Sequence, residues 1–272
     1  METNKKRYMN ILTVITIVCI LIGTIYHTGL WAFPLSVSGG KKEAVDVALD
    51  AFESVDIESK SGGVLLRTGN EYRLEITKDF PDDVRYEVRD GVLSLKTTGK
   101  NKWNFVGFHL FSSTKKNLIT ITIPSEQSLE KEKILLNMGS VELTGITGGK
   151  ADIELDMGSV TMQDCTLEDV DLSAEMGSIT IQSLSVRDLN AEADMGSITL
   201  SDCEVENLDA DADMGSINLS LTGSKEEYTM ELKTDMGSVN VNGHKEGKSF
   251  LQKGTTGKKI TAKAQMGSIN IK

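Results

Sequence analysis

Four carboxylates recur at one place in the chain. Asp156, Glu175, Asp194 and Asp213 each stand immediately before a Met-Gly-Ser triplet, at intervals of 19 residues. Side chains stacked about 5 Å apart on neighbouring strands would repel one another and raise each other's pKa. Hard cations such as calcium bind clustered carboxylate oxygens. The column therefore reads either as a divalent-cation face or as a solvated wall that keeps strand edges soluble. Glu154, Glu192 and Asp211 extend it two residues earlier, and Asp152, Asp171, Asp209 and Glu231 four residues earlier. The calcium-binding nonapeptide pattern of other solenoids is absent from the chain, and no cofactor other than such a calcium ion is expected.

A second candidate surface is aromatic. Trp103, Phe105, Phe108 and Phe111 fall within nine residues. Exposed aromatic patches mark partner or membrane contacts; the same residues would also serve as a hydrophobic plug at the end of a β stack. Enzyme chemistry has little material. Outside the apolar N-terminus the histidines are His109 and His244, and neither sits in a nucleophile or metal motif. Some β-helix proteins cleave acidic polysaccharides with calcium and a basic residue on one face. Here Ala151 to Asp213 holds 17 acids and one base, Arg187, which makes polysaccharide cleavage the most distant reading. The expectation is a protein that is not an enzyme.

Charge excludes another class. The 272 residues carry 29 Lys+Arg against 40 Asp+Glu, a net of −11, whereas nucleic-acid binding needs a basic footprint. The acidity is local. Residues 151–213 carry −16 and residues 214–272 carry +4.

The elements that must position these columns follow from the repeat. Met-Gly-Ser occurs seven times, with Met at 138, 157, 176, 195, 214, 236 and 266, at spacings of 19, 19, 19, 19, 22 and 30. Three and five residues after each Met stand Val, Ile, Leu or Met; two and four residues before it stand mostly Leu, Ile or Ala. This is period-two alternation, the mark of strands. A 19-residue period fits one coil of a single-stranded β-solenoid, with rungs about 4.8 Å apart. Each rung is expected to hold a strand ending at the Met, a bend at Gly-Ser and a short strand beyond it. Gly permits the bend, and stacked Thr and Asn four residues after Met form ladders along the axis. Cys165 and Cys203 fall two rungs apart, about 9.6 Å, too far for a disulfide; two free, buried thiols are predicted. The chain ends on Ile269-Asn270-Ile271-Lys272 with no evident cap, so an edge open to stacking of a second copy is expected there.

The N-terminus reads as a membrane segment. Lys5, Lys6 and Arg7 precede a stretch, Met9 to Phe33, without Asp, Glu, Lys or Arg. Such a run is long enough to span a bilayer as a helix, and basic residues on its N-terminal side place that end in the cytoplasm. The organisation expected is a cytoplasmic tail (1–8), a transmembrane signal anchor (9–33), a linker (34–50), an N-terminal β region or solenoid cap (51–130) and the seven-repeat solenoid (131–272).

Phe52-Glu53-Ser54-Val55-Asp56-Ile57, Asp90-Gly91-Val92-Leu93-Ser94-Leu95, Thr120-Ile121-Thr122-Ile123-Pro124 and the Gly-Ser-[Val/Ile]-x-[Leu/Ile] units after them carry a resemblance. The chain resembles the bacterial LiaG-like adhesin family, a β-solenoid domain without an established function, in which "adhesin" is a label by analogy. The resemblance implies an envelope-facing, Gram-positive protein and no catalytic residues. The expected function is a membrane-anchored, extracytoplasmic binding module touching an envelope protein or cell-wall polymer. The alternatives are a self-assembling structural solenoid and an accessory or sensor component of an envelope-stress response.

Overall fold

The computed structural model describes residues 44–77, 82–98 and 117–272. The expected cytoplasmic tail and membrane anchor, and the cluster Trp103, Phe105, Phe108 and Phe111, lie outside these residues. Among the described residues no helix is long and apolar enough to cross a membrane.

The architecture is all-β. Seven strands come first: β1 (Val45–Ala48), β2 (Ser54–Ser59), β3 (Gly63–Gly69), β4 (Arg73–Ile76), β5 (Asp83–Arg89), β6 (Val92–Thr98) and β7 (Leu118–Pro124). The repeats follow as β8 (Leu129–Thr144), β9 (Gly148–Gln163), β10 (Thr166–Met176), β11 (Ile179–Gln182), β12 (Ser185–Met195), β13 (Ile198–Met214) and β14 (Ile217–Leu221). Last come β15 (Thr229–Met236), β16 (Val239–Val241), β17 (His244–Gly247), β18 (Ser249–Gln252), β19 (Lys259–Met266) and β20 (Ile269–Ile271). β1 falls inside the stretch expected to be linker; its alternating Val-Asp-Val-Ala pairs antiparallel with β4.

Two parallel ladders form facing walls. One runs β6, β2, β8, β9, β10, β12, β13, β19, β15. The other runs β7, β3, β8, β9, β11, β13, β14, β20, β16. The period of 19 keeps identical repeat positions side by side, as in Met157 beside Met176 and Val160 beside Ile179. Inward positions of both walls build the core. Val141, Val160, Ile179, Ile198, Ile217, Val239 and Ile269 on one wall, and Ala191, Ala210 and Ala262 on the other, are fully buried. Each fully buried branched side chain contributes about 1.5–3 kcal/mol.

The rung order at both ends departs from chain order. At the C-terminal end the last segment, β19 and β20, is inserted between the Met214 rung and the Met236 rung. At the other end β2 and β3, the first rung in sequence, lie inside, and β6 and β7 lie outside them. The C-terminal strand is therefore paired on both sides, which corrects the expectation of an open edge at Ile269–Ile271. The true ends are covered by antiparallel strands. β5 pairs with β6 and β4 with β7; β18 pairs with β15 and β17 with β16. Parallel stacks expose unpaired backbone at their ends, and an antiparallel return covers it with a short turn. Two of these returns use two-residue turns, Asp90-Gly91 and Asn242-Gly243, with positive φ at both residues. That is the type I′ hairpin geometry Asp-Gly and Asn-Gly favour.

Candidate functional site

The Met-Gly-Ser corner is the repeated surface. Its glycine is required by close approach more than by flexibility. A Cβ on Gly177 would stand 1.3 Å from the carbonyl oxygen of Gly158, and one on Gly267 would stand 1.6 Å from that of Gly215. The serine is held by a ladder. The amide of Ser197 donates to Oγ of Ser178, Ser216 to Ser197, Ser268 to Ser216 and Ser238 to Ser268, each at 3.2–3.3 Å. The asparagine ladder expected four residues after Met is present: Asn270 Nδ2 donates to Asn218 Oδ1 at 2.8 Å and Asn240 Nδ2 to Asn270 Oδ1 at 2.7 Å.

At this corner the inward-outward alternation breaks. The residue before each repeat Met and the Met itself are both exposed, as in Asp194-Met195 and Asp213-Met214. All seven repeat methionines are exposed, from 39 to 63 %. Register places them in one file: Met138, Met157, Met176, Met195, Met214, Met266, Met236. The carboxylates stand beside them. Glu175, Asp194, Asp213 and Gln265 line a shallow groove of about 450 Å3 together with Met176, Met195, Met214 and Met266. The structure thus brings together three of the four carboxylates expected to form a cation face. The fourth, Asp156, lies outside this groove and accepts a hydrogen bond from Asn137 Nδ2 at 2.6 Å. Asp213 accepts one from Gln265 Nε2.

Among the described residues no three of the His, Cys, Asp and Glu side chains form a group that could hold a metal ion. Asp156, Glu175, Asp194 and Asp213 follow one another along a ladder, one per strand. Of the acids two residues further back, Asp211 is pushed up by burial, with Asp213, Asp209 and Asp194 adding to the effect and Lys263 opposing it. The neighbouring acidic columns are interleaved with donors. Asn190 donates to Asp171 at 2.8 Å and Asn207 to Asp188 at 2.7 Å, while Lys150 lies 3.4 Å from Asp169.

Cys165 and Cys203 are free and buried, as the rung spacing requires. Burial pushes both thiols up, which leaves them unreactive.

One residue escaped the sequence reading. Glu132 is fully buried, and neither Oε1 nor Oε2 has a hydrogen-bond partner. It sits between Val55 and Ala151 on the adjacent strands. Burial pushes its carboxyl up to about 8. The signal was present in the repeat: Glu132 occupies the inward position six residues before Met, where the following rungs carry Ala151, Val170, Leu189 and Leu208.

A capped stack of in-register β rungs, with one repeated corner turned to solvent, defines a repeat-built scaffold. Its family follows from the sequence: the Toastrack DUF4097 family model matches residues 52–272, and the chain belongs to that family. The LiaG-like resemblance agrees with it. No curated protein matches the chain. Among solved structures the chain is similar to a candidate cell-adhesion protein of Clostridium sporogenes, with 15% identity, 84% of this chain and 98% of that chain covered, and a TM-score of 0.36. It is similar to a candidate adhesin of Bacteroides fragilis, with 16% identity, coverage of 86% and 98%, and a TM-score of 0.40. A candidate lipid-binding protein of Parabacteroides distasonis has 15% identity, coverage of 86% and 98%, and a TM-score of 0.39.

Proposed function

We propose that the chain is a non-catalytic binding module, displayed outside the cell on an N-terminal membrane anchor, whose binding surface is the methionine-carboxylate corner. The observation that carries this reading is the file of seven exposed methionines in register. The fold does not need them. The rung formed by β2 and β3 takes the same corner with Ser61-Gly62 where the next rung has Met138-Gly139, and a Cβ on Gly139 would strike the Gly62 carbonyl as in every later rung. Serine satisfies that bend, so methionine at seven others serves the surface. The anchor is supported by the uncharged stretch Met9 to Phe33 behind Lys5, Lys6 and Arg7, whose charge bias puts the β unit outside.

Two measurements test the reading. In intact cells a membrane-impermeant maleimide should label the full-length Met236→Cys variant and leave the parent, whose described cysteines are buried, nearly unlabelled. Labelling that requires lysis overturns the outside location. Replacing Met176, Met195, Met214 and Met266 with Thr should release the detergent-solubilised full-length chain from membrane-free cell-wall material while its strand circular dichroism persists. Unchanged retention, or no retention of the parent, overturns the binding surface.

A further inference from the structure

We propose that the methionine file binds a soft monovalent metal ion, Cu(I) or its redox-inert analogue Ag(I), through thioether sulfurs of adjacent rungs; this rests on the corner being the binding surface. The donors lie side by side. Met176, Met195, Met214 and Met266 line one groove, each directly beside the next on the parallel ladder. Thioethers are soft ligands that favour Cu(I) over hard divalent ions. The spacing suits them. Metal–sulfur bonds run about 2.3 Å for zinc thiolates; at such a length two sulfurs on opposite sides of an ion stand about 4.6 Å apart, close to the step of about 4.8 Å between strands. The unbranched methionine side chain turns about three bonds, so two or three sulfurs can converge where the shorter carboxylates beside them cannot.

The residue type argues the same way. An exposed corner on a solvated wall calls for a polar side chain, and Ser61 supplies one in the first rung. An apolar contact alone would be served by the Ile, Val or Leu used at the inward positions. The file is Met without exception over seven rungs, and on five of them an acid directly precedes it: Asp156, Glu175, Asp194, Asp213 and Asp235. These carboxylates attract a cation to the groove without matching its softness. Ligand type and charge complementarity thus point to the same occupant.

The test uses the full-length chain carrying 13C-methyl methionine, in chloride-free buffer, titrated with Ag(I). The methyl resonances of Met176, Met195, Met214 and Met266 should move together at low micromolar Ag(I). Those of Met162 and Met230, which are fully buried, should stay in place and act as internal controls. A variant with Leu at Met195 and Met214 keeps the apolar bulk and should bind Ag(I) at least 10-fold more weakly. Asp194→Asn with Asp213→Asn should weaken binding by a smaller factor that shrinks as salt rises. Anaerobic Cu(I), held by a competing chelator, should show the same order. Methyl resonances unmoved at millimolar Ag(I), or equal binding by the Leu variant, overturn the proposal. That outcome leaves the maleimide and retention results standing, so the two readings fail separately.

Discussion

Met214 stands beside Met266, 52 residues further along the chain, and not beside Met236, the next repeat. The chain thus builds the outermost C-terminal rung before the one inside it, and β20 slots last between β14 and β16. This makes the extreme C-terminus a core element. Removing residues 269–272 should strip two buried isoleucines, Ile269 and Ile271, and leave β14 and β16 each unpaired on one side. Large core truncations cost about 2–5 kcal/mol each, and about 2–4 °C accompanies each kcal/mol in a domain of this size. Thermal unfolding of the truncated chain should fall by on the order of 10 °C; a fall of only a degree or two would mean the last strand is a free edge.

The repeat made most of one rung legible. A strict interval of 19 puts equal positions side by side, so the inward columns, the Asn ladder and the unpaired cysteines all follow from spacing alone. The inverted rung order was not legible in the same way. Intervals of 22 and 30 suit a loop on a linear stack equally well. What decides the order is the need to cover the stack's end, and its trace in the sequence is Asn242-Gly243, a hairpin turn that sends β17 back along β16. The corner was read only in part. The sequence marked Gly as a bend, while the reason that excludes a Cβ is a carbonyl on the neighbouring rung. Methionine exposure was hidden because alternation, continued through the corner, gives no hint that two consecutive residues face outward.

Close packing at that corner gives a sharp contrast between two glycines. A Cβ on Gly177 meets the Gly158 carbonyl oxygen at 1.3 Å, whereas a Cβ on Gly257 meets nothing within 4 Å. Gly177→Ala should force neighbouring rungs apart and cost about 4 kcal/mol or more, in the range reserved for named steric failures. Gly257→Ala should stay within about 0.5 kcal/mol of the parent, as surface changes do. Chemical denaturation of both variants measures the difference, and similar midpoints would contradict the stacked-carbonyl account.

Asn270 occupies the middle of its ladder, donating to Asn218 and accepting from Asn240. Asn270→Ala removes both bonds and leaves the partly buried side chains of Asn218 and Asn240 each short of one partner. At about 0.5–1.5 kcal/mol per bond, the loss should reach about 1–3 kcal/mol. Asn218→Ala breaks only the one bond and should cost about half as much. Thr180, exposed on its strand, should tolerate Ala with little change. Equal losses at positions 218 and 270 would show that the ladder does not act as a chain.

Glu132 makes the fold sensitive to alkali. Burial holds its carboxyl up to about 8 in the folded chain, against an ordinary value of 4.5. Below pH 4.5 the group is protonated in both states and carries no penalty. Between pH 4.5 and 8 the unfolded chain releases a proton that the folded chain keeps, so stability falls as pH rises. Above pH 8 the loss is complete, on the order of 3–5 kcal/mol. Glu132→Gln preserves the shape and removes the titration. The variant should therefore gain on the parent between pH 5 and pH 9, by about 10 °C in Tm at the upper end. Measuring both chains at pH 5, 7 and 9 cancels every other titrating group, since those are common to the two. Parallel profiles would place the Glu132 carboxylate in contact with water or a cation, because only a solvated charge could sit between Val55 and Ala151 without cost.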